Sequence, residues 1–223
     1  MRDSESLKTT IAAYDQRAAF FVAHNQGRNL ERYLVGFTRH VPRGGLVLDV
    51  GCGPGWDSVA FMQRGFRAVA LDLSRGMLDE AQKAGAQNLA LADMRQLPIT
   101  NYQCDGVWAS ASFLHVPRAD ADATLREFAR VLKAGGVLCL SVKGGEGERF
   151  GNPLDGLPRY FVYWTEDDLD ARLHTAGFEI VSAWTNAPEA QRETWVNRVV
   201  VKSPLSLHSL APLGATSRER GRG

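Results

Sequence analysis

Three carboxylates, Asp49, Asp72 and Asp93, stand at the ends of successive short apolar runs, and the first leads through Val50 into the glycine loop Gly51-Cys52-Gly53-Pro54-Gly55. Glycines let a chain turn sharply and let its backbone approach a ligand closely. The loop alone is ambiguous, because dinucleotide enzymes, phosphate binders and plain tight turns all use one. The acids narrow the choice. Asp49 would oppose a pyrophosphate but favour a ligand bearing an ammonium and a sulfonium. Asp72, roughly 20 residues past the first glycine, falls where an acid accepts hydrogen bonds from ribose hydroxyls. Asp93, followed by Met94, sets an acceptor for an adenine amino group beside an apolar surface for its ring. Singly, each has a plainer reading: Asp49 or Asp72 caps a turn, Asp93 is an N-cap, and the glycines are turns. Their order and spacing together point to a charged nucleoside ligand.

The elements that must hold these residues are legible as alternation. The runs Leu46 to Val50, Ala68 to Asp72, Asn88 to Ala92, Asp105 to Ala109 and Val137 to Val142 are nearly continuous in apolar residues, as in parallel strands buried on both faces. Helix-length stretches separate them. One, Trp56 to Gln63, ends near Gly65; another carries Leu125, Phe128, Ala129 and Leu132 on one face and is expected to stop at Gly135-Gly136 with a left-handed cap. Thr165 followed by Asp168 suggests a capping box, with Gly177 as the stop, and two further strands, Phe178 to Trp184 and Trp195 to Val201, close the core. Repeated strand, helix, strand units imply an α/β doubly wound sheet with right-handed crossovers. Ahead of it, Leu7, Ile11, Tyr14, Ala18 and Phe21, then Leu30, Tyr33, Leu34 and Phe37, recur at helical spacing. The expected organisation is an N-terminal helical cap (1–43), a core (44–202) and a flexible tail (203–223) rich in Ser, Pro, Gly and Arg.

These motifs together resemble those of class I S-adenosylmethionine-dependent methyltransferases of the type 11/25-like kind. The resemblance rests on Val47 to Gly55, Ala70-Leu71-Asp72-Leu73-Ser74 with Met77-Leu78, Ala92-Asp93, Asp105 to Ala109 and Leu132-Lys133-Ala134-Gly135-Gly136. It implies a mostly parallel seven-stranded sheet with an antiparallel last strand. It also implies that S-adenosylmethionine lies across the strand ends: Gly51, Cys52, Gly53 and Gly55 against the methionine moiety, Asp72 on the ribose, Asp93 on the adenine, and Leu73 and Met94 flanking the ring. Ala109, Ser110 and Ala111 would pass near the transferable methyl, with Tyr14 helping to close the pocket. A dinucleotide oxidoreductase is disfavoured by Asp49 and by the missing third-glycine spacing.

Methyl transfer from a sulfonium needs alignment above all, so a base is optional. If the nucleophile carries a proton, His115, five residues past Ser110, is the best-placed general base; the competing reading is that it lines the pocket or orients a neighbour. The glycine-rich stretch Lys143 to Phe161 is expected to form part of the acceptor site, the alternative being a mobile surface loop, with Glu146, Glu148 and Arg149 for a polar acceptor. Tyr160, Phe161, Tyr163 and Trp164 are either an aromatic enclosure or core. The fourth-strand sequence Asp105 to Ser110 lacks the Asp/Asn-Pro-Pro-aromatic motif of nucleic-acid base amino methylation and the Pro-Cys motif of cytosine C5 chemistry. The leading expectation is a small-molecule acceptor methylated at O, N or C. The alternatives are a tRNA modification methyltransferase and a non-catalytic S-adenosylmethionine-binding protein.

Composition sets the outer bounds. The 223 residues, 44% hydrophobic and 23% charged, suit one globular domain, and a net charge of +1 shows no bulk pull toward nucleic acid. Cys52, Cys104 and Cys139 are odd in number and unpaired in pattern, which argues for a reducing compartment and against a metal site. No apolar stretch approaches the roughly 18 residues of a membrane span. The expectation is a cytoplasmic monomer or homodimer without a membrane partner.

Overall fold

The computed structural model describes residues 5–25, 31–151, 156–186 and 194–203. Leu30 and the expected tail beyond Ser203 lie outside them. The chain opens with helices α1 (Glu5–Asn25) and α2 (Glu31–Thr38). The alternating core follows as β1 (Leu46–Val50), α3 (Trp56–Gln63), β2 (Arg67–Asp72), α4 (Arg75–Lys83), β3 (Leu89–Leu91) and β4 (Cys104–Ser110). A 3-10 turn (Phe113–His115) leads into α5 (Arg118–Val131) and β5 (Leu132–Gly144). The chain then forms β6 (Glu148–Gly151), β7 (Arg159–Trp164), α6 (Glu166–Thr175), β8 (Phe178–Asn186) and β9 (Trp195–Lys202).

The spatial order β3, β2, β1, β4, β5, β9, β8 makes a doubly wound sheet. β1 to β5 are mutually parallel and β9 runs antiparallel to both neighbours. The expected seven-stranded arrangement is therefore present, with two strands added to it. β6 and β7 form an antiparallel hairpin that joins the end of β5 through Lys143 opposite Tyr163 and Gly144 opposite Trp164. Much of the described part of 143–161 is therefore strand rather than surface loop. β7 is Arg-Tyr-Phe-Val-Tyr-Trp, and such aromatic and β-branched residues pack well on a pleated surface; the glycines upstream had masked that signal.

Two apolar layers sandwich the sheet. One gathers Leu48, Val107, Leu125, Phe128, Leu140 and Trp164; in the other, Phe37 and Phe61 each meet Trp108 edge to face at 5.2 and 5.4 Å between centroids and lie tilted to each other at 5.6 Å. α5 ends earlier than its apolar stripe suggests. Leu132 already has extended backbone and pairs with Cys104, so Gly135, at φ +73°, turns the lead-in of β5 rather than capping a helix. α6 matches its signal: the Thr165 hydroxyl accepts from the Asp168 N–H at 3.2 Å, and Gly177 sits at φ +86°.

The elements beside the strand ends position the site. α1 lies over the start of α4, where Gly76 leaves room for the backbone of Asp15; a side chain there would fall 2.9 Å from the Asp15 carbonyl. One carboxylate oxygen of Asp15 accepts from the Ser74 hydroxyl at 2.7 Å and from the Gly76 N–H at 2.9 Å. Among the described residues no helix is long and apolar enough to cross a membrane.

Candidate active site

β1 ends in a loop held against β2, since the Gly51 and Cys52 N–H groups both donate to the Leu71 carbonyl at 2.7 and 2.9 Å. Gly51, Gly53 and Gly55 all have left-handed φ, at +70°, +53° and +73°, but they serve different ends. A side chain on Gly51 would strike Ser112 at 2.4 Å. One on Gly53 would meet nothing, while one on Gly55 would strike Ala81 and Ala86 at 2.7 and 2.9 Å. Gly55 is thus the glycine that lets α3 start close against α4. A side chain there would point at α4 and the turn after it.

That cleft encloses about 1150 Å³, its open mouth included. It gathers Tyr14, Asp49, Gly51, Cys52, Gly53, Asp72, Leu73, Asp93, Met94, Ser110 and His115. Ala109 is fully buried in the core, because alternation along β4 turns it away from the face that Ser110 presents.

One wall is acidic. Asp49, 2% exposed, accepts a 2.6 Å hydrogen bond from Ser58, and burial, then the neighbouring Asp57, hold its carboxyl well above the usual range. Asp57 accepts from the Trp108 indole N–H at 2.8 Å and also lines the cleft. Asp72 accepts from the Gly53 N–H at 2.9 Å and the Ser74 N–H at 2.8 Å; burial raises its carboxyl and these donors lower it. Burial, then Asp49 and Asp72, push the Cys52 thiol far up, so it is no nucleophile.

Farther along, Asp93 and Met94 share the wall with Arg95. The Asp93 side chain lines the cleft and is 24% exposed. The Arg95 backbone N–H and guanidinium both donate to it, and Arg95 reaches on to Asp120 at 2.8 Å.

Opposite the glycine loop, β4 gives way to Ser110, Ala111 at φ +55°, and Ser112, whose hydroxyl donates to the Val50 carbonyl at 2.6 Å. His115 follows on the 3-10 turn. Its Nδ1 lies 2.6 Å from the Tyr160 carbonyl, which can only accept, so Nδ1 carries the proton. Nε2 is then the lone-pair nitrogen, and the Tyr14 hydroxyl donates to it at 2.9 Å. Burial, with help from Arg159 and Lys143, lowers the imidazole to about 4, so it is neutral near neutral pH. Thr10 on α1 completes the frame by accepting the Tyr160 N–H at 2.9 Å.

Among the other expected acceptor residues, Phe161 and Trp164 belong to the core. Tyr160 contributes its backbone, and the Arg149 guanidinium sits 3.7 Å from the Tyr163 ring. Sequence reasoning missed Asp57, Arg95 and Ser112. Asp57 carried a signal, since it opens the helix behind the glycine loop; the roles of Arg95 and Ser112 arise from loop geometry that no spacing encodes.

Residues 48–140 match the family described as a methyltransferase domain. A malonyl-[acyl-carrier protein] O-methyltransferase of Hamiltonella defensa is 30% identical over 96% of this chain and 81% of its own length. The Serratia marcescens protein of the same description is also 30% identical, over 96% of this chain and 82% of its own length. Among solved structures, the 1,6-didemethyltoxoflavin-N1-methyltransferase of Burkholderia thailandensis, with 1,6-didemethyltoxoflavin and S-adenosylhomocysteine bound, superposes at a TM-score of 0.67 and 20% identity. That match covers 91% of this chain and 92% of the other. The DhpI-SAH complex superposes at 0.68 and 23%, covering 91% and 100%. Both structures share the fold.

Proposed function

Because this chain belongs to the class I S-adenosylmethionine-dependent methyltransferase family, we propose that the cleft between the glycine loop and α1 is its S-adenosylmethionine site, and that a small acceptor is methylated beside Tyr14 and His115. The chain is a methyltransferase enzyme. The observation that carries the site reading is the charge of the cleft: Asp49, Asp57 and Asp72 all line it, and burial makes isolated negative charge there costly. A ligand with an ammonium and a sulfonium suits that donor set. Gly51 supports the fit as well, since its missing side chain keeps the loop close to Ser112 and leaves the backbone bare toward the cleft.

When bound, S-adenosylmethionine supplies a methyl group on positively charged sulfur. The protein's part is placement. Asp49 and the Gly51 to Gly53 backbone hold the methionine end, and the lone pairs that Asp72 keeps beside its two backbone donors take the ribose hydroxyls. Leu73 and Met94 flank the adenine, and Ser110 and Ala111 border the methyl. For a hydroxyl or amine acceptor, the departing proton passes to the Tyr14 oxygen as the Tyr14 proton moves to His115 Nε2, the acceptor of a tautomer fixed by Tyr160.

A second reading concerns the acceptor. The malonyl-[acyl-carrier protein] relatives align over 96% of this chain, hence over most of the N-terminal region and the β6–β7 hairpin as well as the core. That supports the carboxylate of a carrier-linked acyl group as the oxygen methylated, a nucleophile with no proton to remove. Methyl-labelled S-adenosylmethionine should be incubated with malonyl-acyl carrier protein, with a metabolite extract, with tRNA and with no acceptor. Label on the carrier-linked acid or a small metabolite supports the proposal. Label on tRNA alone, or S-adenosylhomocysteine bound without transfer to any acceptor, would refute it.

A further inference from the structure

We propose that Asp57 is a binding residue for the cofactor's amino-acid end: it and Asp49 together seat the ammonium, and seating it drives off a proton that Asp49 carries in the ligand-free protein. The inference rests on the cofactor site proposed above.

Separate elements bring the two acids together, and each carboxylate is tied to another element. Asp49 lies on β1 in register with Trp108 of β4, so the two side chains stand side by side on one face of the sheet. α3 begins over that face. In its first turn the Asp57 carboxylate accepts from the Trp108 indole N–H at 2.8 Å, and the next residue, Ser58, donates its hydroxyl to Asp49 at 2.6 Å. Trp108 is fully buried and meets Phe37 and Phe61 edge to face, so the place of Asp57 is set from the core. Both acids line the cleft.

Two like charges close together in a sheltered wall are costly to keep ionised at once. Burial first, then the Asp57 charge, favour the protonated form of Asp49, while Ser58 works the other way. The charged groups acting on Asp49 are Asp57 from α3 and Asp72 from the end of β2, both acids; the adjoining Cys52 is a thiol that burial and these acids push far up. An arriving ammonium reverses the balance, because it is the opposite charge for both carboxylates. The Asp49 O–H bond breaks, its proton leaves to solvent, and the ammonium keeps its own protons between two carboxylates. Below the ordinary α-amino value of about 8 the ligand arrives already charged, so uptake by its amine does not cancel the release.

The test is titration calorimetry at about pH 6.5 in buffers of different ionisation enthalpy, which counts the protons released per ligand bound. The ligands are S-adenosylhomocysteine and 5′-methylthioadenosine, which has the adenine, the ribose and the thioether but no ammonium. The wild-type protein should release about half a proton or more with the first and none with the second. Asp49→Asn should release none with either. Asp57→Asn keeps an oxygen for the Trp108 indole, so α3 stays anchored. It should bind S-adenosylhomocysteine about tenfold more weakly, with the proton count at least about halved, and 5′-methylthioadenosine within about threefold of wild type. A merely structural role for Asp57 would leave affinity and proton count for S-adenosylhomocysteine as in wild type, which would overturn the proposal. A wild-type count of zero, or an equal count for the two ligands, would overturn it too, and decides the matter if a variant fails to fold. If neither compound bound the wild-type protein, the cofactor reading itself would fall, and this inference with it.

Discussion

Replacing Gly51, Gly53 and Gly55 one at a time by alanine separates backbone strain from steric conflict within five residues of chain. All three have φ between +53° and +73°, so each substitution carries a left-handed penalty of about 1 to 2 kcal/mol. At Gly53 nothing else is added, because a new Cβ meets no atom within 4 Å. At Gly51 the Cβ falls 2.4 Å from that of Ser112, whose hydroxyl is tied to the Val50 carbonyl, and 3.3 Å from the Met94 side chain. Relieving that overlap adds about 1 to 3 kcal/mol. At Gly55 the conflict is with Ala81 and Ala86, away from the cleft. Urea unfolding should therefore rank Gly53→Ala mildest, with the other two about 1 to 3 kcal/mol worse. Binding of S-adenosylhomocysteine should rank them differently: Gly51→Ala and Gly53→Ala lose affinity, while Gly55→Ala, once folded, keeps it within about threefold, its conflict lying outside the cleft. Equal destabilisation by all three, or loss of affinity at Gly55 as large as at Gly51, would refute this division of labour.

Tyr14→Phe and His115→Gln should each lower turnover of a hydroxyl or amine acceptor by about a hundredfold while binding S-adenosylhomocysteine within about threefold of wild type; an unchanged rate and pH profile would remove the pair from the mechanism. His115 also sets a pH dependence of stability. Its folded value of about 4 lies below the ordinary 6.5, so the unfolded chain takes the proton first and stability falls as pH drops from about 6.5 toward 4. Between pH 7 and 5, denaturant titration should show His115→Gln losing about 1 to 2 kcal/mol less than wild type. Asp15→Ala removes the acceptor of two hydrogen bonds that fasten α1 to the start of α4, at an expected cost of about 1 to 2 kcal/mol. Limited proteolysis should then cut α1 faster in the variant, and S-adenosylhomocysteine should protect it less.

The sheet was readable because buried parallel strands need continuous apolar runs, and β1 to β5 each carry one between glycine or acidic stops. The hairpin β6–β7 was not. Its first strand, Glu-Arg-Phe-Gly, is exposed for most of its length and has no period strong enough to separate it from a loop. In the site, Asp49, Asp72, Gly51 and Gly53 all line the cleft, and their signal in the sequence comes from strand ends and backbone freedom. The surroundings of Gly55, Ala109 and Asp93 were not legible in the same way. Gly55 looks like its neighbours in sequence, and only the closeness of Ala81 and Ala86 shows that it serves helix packing. Ala109 differs from Ser110 by one step of strand alternation, so a single residue of register decides which faces the cleft. Asp93 sits where an adenine acceptor belongs, but two residues later stands an arginine whose side chain folds back on it. His115 and Tyr14 are separated by 101 positions, and their hydrogen bond exists only because α1 crosses back over the turn after β4.

The most direct test of the central claim is calorimetric titration of S-adenosylhomocysteine and of NAD into the wild-type protein and into Asp72→Ala, with thermal unfolding as the folding control. The account expects one S-adenosylhomocysteine site per chain, affinity about a hundredfold weaker in folded Asp72→Ala, and no NAD binding. Tight NAD binding, no S-adenosylhomocysteine binding, or equal affinity in the two proteins would contradict the assignment of this cleft.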